Sequence, residues 1–416
     1  MRKLLLTASA LVISAVAFAQ GGNHGQGGCD GNYSSLAERV LKLEKKTDNF
    51  NLFLNYSTSF QMSEADGEWS SAFRAKQLRL EIKGSFGDHL TYRLRHRLNR
   101  SNAAMSAENF AKATDIMMVG WKFNDKWEIQ GGKLCQYWGG FEFDENPMYI
   151  YQYSDMVDYM DNFLGGAALL WRPIPSQEFV LNVSNAYSGK FFDEYEEGGL
   201  ADKKMLQPAN HPLSAVFNWN GSFAGGLIET RWGVGMYNQA KDYTAKMVFL
   251  GQKLNLPKFQ VYFDYMGSWE GLDRLKIATG DLHRISASVT QMSSYVKEVI
   301  TPIYETNVSY QSFVVKANWQ FAPKWNLMLK GMYETAALPK TENMIYNGYH
   351  FNEPIGIYRT SLGYIGSLEF YPEPDQDFRV FLAYIGRGYQ FEEHFGFENY
   401  NTNRIELGLM YRIKAY

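Results

Sequence analysis

Beyond its first twenty residues, the sequence has no run of about 18 consecutive apolar residues, which excludes a transmembrane helix. It has only two cysteines, Cys29 and Cys135, enough for one disulfide but not for a disulfide-stapled scaffold. The seven histidines are scattered, and zinc-binding, nucleophile-elbow and phosphate-loop motifs are lacking. We therefore expect no enzyme activity, no cofactor and no metal. A net charge of −3 also argues against nucleic acid as a partner.

The first nineteen residues predict a cleaved export signal. Arg2 and Lys3 form a short positive region, and residues 4–16 are apolar but too few to span a bilayer stably. Residues 17–19 supply small side chains at the two positions that a signal peptidase reads, which predicts cleavage after Ala19. The alternative, a retained membrane anchor, is disfavoured by the glycine-rich polar residues that follow. Cleavage removes two cationic side chains and takes the net charge from −3 to −5.

From Asn49 onward, apolar and polar residues alternate with a period of two. In residues 77–83, for example, Leu78, Leu80 and Ile82 lie between polar or charged residues. We count 16 such segments of about ten residues each. An apolar outward face and a polar inward face are typical of a membrane barrel. The sequence therefore predicts an all-β fold, a 16-stranded antiparallel transmembrane β-barrel over residues 49–416.

The connections between these segments alternate in length. Short connections lie at residues 87–89, 124–126, 221–225, 322–324 and 372–376, and long ones at 100–112, 136–162, 187–211, 267–307 and 336–354. Outer-membrane barrels have short periplasmic turns and long external loops, and an even strand number returns both chain ends to the periplasm. One connection, 238–242, is short where we expect an external loop.

Tryptophans flank two of the short connections. Trp121 and Trp127 lie on either side of one, and Trp319 and Trp325 on either side of another. Tryptophan favours the membrane interface because its ring is apolar and its N–H group seeks water. We therefore expect an aromatic girdle there. A soluble sandwich is the weaker alternative, because it offers no place for the polar rows of sixteen strands.

Two further segments precede the barrel. Residues 20–33 predict a flexible linker, and residues 34–47 predict a short periplasmic helix. Leu36, Val40 and Leu43 recur at helical spacing among charged residues. Because one apolar stripe over roughly two to three turns cannot stabilise a helix in water, it packs either on the barrel mouth or on copies of itself as a coiled coil.

The strongest charge feature is the row Arg93, Arg95 and Arg97. Residues two apart share one face of a strand, so the three guanidiniums lie on one face while Leu94 and Leu98 point to lipid or to a subunit partner. The arginines must then face the lumen. Arginine suits phosphate and carboxylate because it is always charged and forked. One interpretation is therefore a basic track that attracts anions.

Arg79 and Lys83 share the lumenal face of the preceding strand. A three-residue turn places Glu81 opposite Arg95, and Arg79 opposite Arg97. Glu81 can then neutralise one positive charge. The second interpretation is a screened wall whose arginines pair with nearby acids, and the sequence leaves both open.

The connection at residues 136–162 is rich in acids and aromatic residues and poor in glycine and serine. Such a long segment is not expected to extend into solvent without structure of its own. We expect it to fold into the lumen as a constriction, with Glu142, Asp144 and Glu145 facing the arginine row and setting up a transverse field. The alternative is a solvated external loop.

His96 is the histidine that an enzyme hypothesis would use. It lies among outward-facing residues, where a barrel enzyme acting on lipids could carry a catalytic histidine. A polar residue in a subunit interface is the favoured interpretation. A surface adhesion scaffold that uses the long loops is a third alternative.

Most of the mature chain resembles the phosphate-selective porin family, porins O and P, in its Bacteroidetes form. The local match is Gly132-Lys133 followed by Gly140-Phe141-Glu142, where the chain runs into the long connection. The resemblance implies a homotrimer of 16-stranded barrels in the outer membrane of a Gram-negative bacterium, each with its own pore.

Members selective for phosphate use a lumenal arginine ladder, which Arg93, Arg95 and Arg97 would match, and a lysine-lined constriction. The acids of the long connection depart from that pattern. We therefore expect a water-filled channel for passive diffusion of small hydrophilic solutes, with a modest preference for anions, phosphate among them. Its expected partners are membrane lipid, two further copies of the chain and the solutes in transit.

Overall fold

The computed structural model describes residues 49–65, 67–195, 199–200, 205–281, 303–338, 344–346, 349–351, 356–373, 376–393 and 398–415. The predicted signal peptide, linker and short helix lie outside these residues. Within them, sixteen antiparallel strands form one closed barrel, in which consecutive strands pair and the last strand pairs with the first. The predicted barrel and its strand number are confirmed.

The barrel strands are numbered in chain order. They are β1 (Asn51–Ala65), β2 (Glu68–Phe86), β3 (Leu90–Arg97), β4 (Thr114–Lys122), β5 (Trp127–Cys135), β6 (Phe163–Ile174), β7 (Gln177–Asn185), β8 (Leu213–Phe223), β9 (Ile228–Ala240), β10 (Tyr243–Asn255), β11 (Phe259–Leu272), β12 (Thr306–Ala322), β13 (Trp325–Ala337), β14 (Ile357–Phe370), β15 (Phe378–Phe391) and β16 (Tyr400–Lys414). Two-stranded pairings outside the barrel join Gly199–Leu200 to Ile303–Tyr304 and Met344–Tyr346 to Tyr349–Phe351.

The period-two pattern decides which face of each strand meets lipid. On β13, Leu329 is 52% exposed, whereas Met328 and Lys330 on the opposite face are buried. Since this alternation repeats around the wall, apolar side chains cover the outside, whereas the enclosed interior holds polar and charged side chains together with buried apolar ones. Trp121, which precedes a short connection, is likewise an exposed outward residue.

The long connections lie on one rim of the barrel, as predicted. Two connections on that rim are tight: β1 leads to β2 between Ala65 and Glu68, and β9 leads to β10 between Ala240 and Tyr243. The second is the short external connection expected from the sequence. Asp242 takes a φ of 69° there, a left-handed conformation that a two-residue hairpin requires.

Residues 136–162 enter the barrel rather than extending from it. They contain the short helices α1 (Phe141–Asp144) and α2 (Asp155–Tyr159) and a 3-10 turn at Pro147–Tyr149. A third short helix, α3 (Phe191–Glu194), lies in the next long connection. Trp138 and Phe143 are buried with their ring centroids 4.4 Å apart, inside a cluster that also includes wall residues of β8–β15. The predicted inward fold of this connection is therefore confirmed.

Cys135, at the end of β5, is disulfide-bonded. Cys29, the other cysteine of the chain, lies outside the described residues. No helix among the residues that the structure describes is long and apolar enough to cross a membrane.

Candidate ion pathway inside the barrel

The predicted arginine row faces the barrel interior. Arg95 and Arg97 on β3 are buried, and so is Arg79 on β2. The register matches the prediction, with Arg79 opposite Arg97 and Glu81 opposite Arg95. Three guanidiniums from two adjacent strands therefore lie together on the lumenal side.

Asp115 on β4 is the acid at the centre of this group. Its carboxylate lies 2.7 Å from Nε of Arg97, 3.2 Å from Nε of Arg79 and 3.3 Å from Nε of Arg95. Strict alternation would turn Asp115 outward together with Met117, which is exposed. A register shift between β3 and β4 pairs Arg95 with Ile116 and the next residue with Thr114, so that Asp115 is the extra residue of a bulge. A bulge re-aims a side chain, and this one points Asp115 inward.

Glu81 neutralises a second part of the same wall. It accepts hydrogen bonds from Arg93, at 2.9 Å from Nε and 2.7 Å from Nη2, and lies 3.6 Å from Nη2 of Arg412 on β16. The sequence suggested that Glu81 could neutralise one arginine, but the contribution of Arg412 was missed because β16 meets β1 only on closure. Lys83 lies over the ring of Phe53 at 5.4 Å.

We call this surface the basic wall. Its six cations outnumber its two acids, so it carries a net charge of +4. The cations are Arg79, Lys83, Arg93, Arg95, Arg97 and Arg412, and the acids are Glu81 and Asp115.

The acids of the inserted connection do not face the basic wall, and on this point the sequence-based expectation was wrong. Glu142 pairs with Lys330 on β13, and Glu145 pairs with Lys316 on β12. Asp144 lies 3.7 Å from Nη1 of Arg231 on β9. The physical reason is that a buried charge needs a close partner, and the basic wall already holds its own acids.

A larger ion network joins α2 to the inward faces of β13, β14 and β15. Asp155 pairs with both Arg359 on β14 and Arg387 on β15. Arg387 also pairs with Glu334 of β13, while Arg359 reaches Asp281 in the connection after β11 at 2.9 Å. The guanidinium of Arg359 thus links two external connections inside the barrel, through Asp155 in one and Asp281 in the other. Asp155 is one of the acids of the long connection that the sequence shows, but its partners did not stand out, although period two does place Arg359 and Arg387 on inward faces.

Several carboxyls in the connections have pKa values above the ordinary range, and for three of them the pKa lies between about 6 and about 8. Burial, reinforced by the charge of Asp155, raises the pKa of Asp158 to about 6. Burial raises the pKa of Asp273 to about 6, although several hydrogen bonds oppose the shift. Burial, followed by the charge of Asp273, raises the pKa of Glu305 to about 8. These groups can therefore change charge near neutral pH.

His96 lies on the face of β3 opposite to the arginines. Its Nδ1 is 3.1 Å from the Thr114 hydroxyl, and the neighbouring Leu98 is 52% exposed on the outside. This is the outward setting expected from the sequence.

A closed 16-stranded barrel with a segment folded into its lumen is a porin architecture. A family model described as phosphate-selective porin O and P matches residues 50–413. The chain belongs to this porin family. It is therefore an outer-membrane channel protein of a Gram-negative bacterium. Comparison of the sequence with curated proteins gives no match.

Solved porin structures share the fold of this porin at low sequence identity. The outer-membrane channel DcaP of Acinetobacter baumannii is 10% identical, with a TM-score of 0.55, over 89% of this chain and 99% of that one. An anion-selective porin from Comamonas acidovorans is 9% identical, with a TM-score of 0.52, over 88% and 99%. OmpF of Salmonella typhi, solved with daunomycin, is 13% identical, with a TM-score of 0.52, over 89% and 99%. At these identities the likeness concerns the fold alone.

Proposed function

We propose that this porin conducts small hydrophilic solutes by passive diffusion and favours anions modestly, phosphate among them. The observation that supports the preference is the charge balance of the basic wall, where six cations meet two acids. The acids of the inserted connection do not cancel this excess, because Lys316, Lys330 and Arg231 hold them elsewhere. A lumen with one positively charged side attracts anions without excluding cations.

Reversal potentials in planar bilayers test the preference. A salt gradient is applied with chloride and then with phosphate as the anion, for the natural protein and for the triple variant Arg93→Ala, Arg95→Ala, Arg97→Ala. Removing the three arginines should shift permeability toward cations. Because charges are screened over about 10 Å at 0.1 M salt, the shift should shrink as salt rises.

A matched control removes three positive charges outside the lumen. Lys126, Lys258 and Lys324 are exposed residues of short periplasmic connections. The triple alanine variant at these positions should leave the reversal potential near that of the natural protein. If the arginine and lysine variants behave alike, the basic wall does not set selectivity.

We also propose that the porin is a homotrimer. His96 supports this, because a polar ring on the outer face is costly in lipid but is tolerated in a subunit interface. The neighbouring strands β3, β4 and β5 have only 8, 9 and 9 residues, close to the minimum that spans a bilayer. Unheated detergent electrophoresis with chemical crosslinking should show a trimer band. Monomer alone by both methods would contradict the proposal.

The N-terminal organisation remains a proposal too. We propose a signal peptide at residues 1–19, a linker at 20–33 and a helix at 34–47 that adds a periplasmic coiled coil to the trimer. The mass of the protein isolated from outer membranes should correspond to a chain that begins at Gln20. Deleting residues 34–47 should lower the temperature at which the trimer dissociates, without unfolding the monomer.

A lipid-degrading enzyme is the competing class. A phospholipid hydrolysis assay on the natural protein and on His96→Ala separates the two, since the channel proposal predicts no activity in either. Hydrolysis that disappears with His96 would support the enzyme.

A further inference from the structure

The inserted connection enters the lumen through two glycines, Gly139 and Gly140. Gly139 takes a φ of 84°, in the left-handed region that favours glycine. A Cβ atom on Gly140 would lie 2.2 Å from Cγ of Asp264 on β11. The carboxylate of Asp264 therefore packs directly on the main chain of Gly140, and no other residue fits there without displacing it.

Asp264 also binds the first turn of α1. Its Oδ1 accepts a hydrogen bond from the N–H of Phe141 at 2.9 Å, and its Oδ2 accepts one from the N–H of Glu142 at 2.7 Å. Both oxygens of one fully buried carboxylate are thus used on consecutive main-chain donors. Both donors are main-chain N–H groups of the first turn, where a short helix leaves such groups without intrahelical partners.

Arg231 on β9 holds the carbonyl side of the same turn. Its Nε donates to the carbonyl oxygen of Gly139 at 3.0 Å. The cross-strand register aligns Arg231 with Gly251 of β10, and Gly251 with Asp264. A Cβ on Gly251 would lie 2.7 Å from Oδ1 of Asp264 and 3.1 Å from the ring of Phe141. The wall therefore presents the guanidinium of Arg231, a gap at Gly251 and the carboxyl group of Asp264 in one row.

We propose that this docking row, Arg231, Gly251 and Asp264, fixes the position of residues 136–162 in the lumen and thereby sets the conductance of the channel. Arg231 matches the carbonyl oxygen of the incoming turn, Asp264 matches its two N–H groups, and Gly251 leaves room for them. Asp264 is a positioning residue, since it acts through the segment that it holds. The inference rests on the proposed channel function.

The docked turn places the acids that follow it. Glu142 and Glu145 follow Phe141, whose N–H group Asp264 binds, within about one helical turn. Glu142 pairs with Lys330 on β13, and Glu145 pairs with Lys316 on β12. If the turn shifts, these ion pairs lose their geometry together. Selectivity and conductance should therefore change in the same variant, whereas the strand pairing of the wall stays intact.

Single-channel recording tests the proposal with Asp264→Asn, Gly140→Ala and Gly251→Ala. Each should change the conductance and raise the open-channel noise, because each disturbs the same contact by a different route. Gly131→Ala and Gly331→Ala are the matched controls, since an added Cβ meets nothing within 4 Å at either position. The changes should exceed the spread among the controls and the natural protein.

A double variant separates positioning from general damage. Asp264→Asn combined with Gly140→Ala should give the conductance of either single variant rather than the sum of two changes, because both release one contact. The heat-induced mobility shift in electrophoresis should stay near that of the natural protein, as the strand pairing of the barrel wall is retained. If Asp264→Asn fails to fold, Gly251→Ala carries the same test.

The outcomes distinguish this inference from the channel proposal. Folded variants with unchanged conductance, noise and reversal potential would overturn the docking row while leaving the channel intact. A natural protein that folds but never conducts would overturn the channel proposal itself. Hydrogen exchange adds an independent readout, since the amides of Phe141 and Glu142 should exchange faster in Asp264→Asn.

Discussion

Arg97 and Asp115 are joined by a hydrogen bond of 2.7 Å between the guanidinium Nε and the carboxylate Oδ1. The same carboxylate serves Arg79 and Arg95, so a single acid moderates three neighbouring positive charges. A change at Asp115 therefore affects all three arginines at once.

The first prediction is that Asp115→Asn increases anion preference. The wall gains one net positive charge, and the reversal potential in a salt gradient should move toward that of the anion. Removing one partner from a buried ion pair typically costs about 3–5 kcal/mol, so the midpoint of urea unfolding should also fall. Asp125→Asn, in an exposed periplasmic turn, is the control and should do neither.

The second prediction concerns Lys330 and Lys316, the lysines that pair with acids of the inserted connection. Glu142→Gln and Glu145→Gln should each leave a buried lysine without its carboxylate, Lys330 in the first case and Lys316 in the second. Anion permeability should rise, and the channel should become noisier because the inserted segment loses a contact. Glu68→Gln, at an exposed position of β2, is the control. Equal effects from all three variants would contradict the pairing.

The third prediction is a pH dependence in the connection after β11. Burial and the charge of Asp273 raise the pKa of Glu305 to about 8. The carboxyl group of Glu305 therefore binds its proton more tightly when the connection is packed than when the connection is released into water. The packed conformation is therefore favoured at acid pH, and that advantage is lost as pH rises from the ordinary value of 4.5 through 8. The side chain of Asp273, which accepts hydrogen bonds from the N–H groups of Lys276 and Thr279, loses its proton first, at about 6.

Hydrogen exchange measures this directly. After correction for intrinsic rates, the amides of Lys276 and Thr279 should exchange faster at pH 9 than at pH 7, a range in which Asp273 is already ionised and Glu305 loses its proton. Glu305→Gln should remove the difference, since an amide cannot ionise. A difference that persists in Glu305→Gln would place its cause elsewhere.

The fourth prediction concerns the outer surface. Trp121, Trp127, Trp319 and Trp325 are exposed beside two short connections. In liposomes, lipids brominated near the headgroup should quench tryptophan fluorescence more than lipids brominated at the chain end. The difference should fall when Trp121 and Trp319 are replaced by leucine, with Trp138→Phe, buried inside the barrel, as the control.

The sequence predicted the wall of the barrel well because the wall follows a local rule. Period two assigns a face to each residue, and a short turn then fixes the register, as it did for Glu81 opposite Arg95. Local rules fail where the chain departs from regularity. Asp115 was missed because its bulge reverses its side, and the only sign in the alternation is a carboxylate in the otherwise apolar row of Met117.

The partners inside the lumen could not be predicted for a different reason. Glu142 and Lys330 are 188 residues apart in the chain, and nothing local states which wall an inserted segment will approach. The alternation of residues alone predicts that Lys330 faces inward, but it does not predict which acid pairs with this lysine. Arg412 was missed in the same way, since it meets Glu81 only once the first and last strands are side by side.

The closure of the barrel joins Phe53 of β1 to Lys414 of β16, at opposite ends of the described chain. Every other pairing in the barrel wall, among the residues described, is between consecutive strands and can form as a local hairpin. Until the seam closes, the first and last strands both carry unpaired N–H and C=O groups that lipid cannot satisfy. A partly built wall is therefore unstable within a bilayer. Membrane insertion and closure of the seam must therefore be coupled in one folding event, which the pairing of β16 with β1 completes.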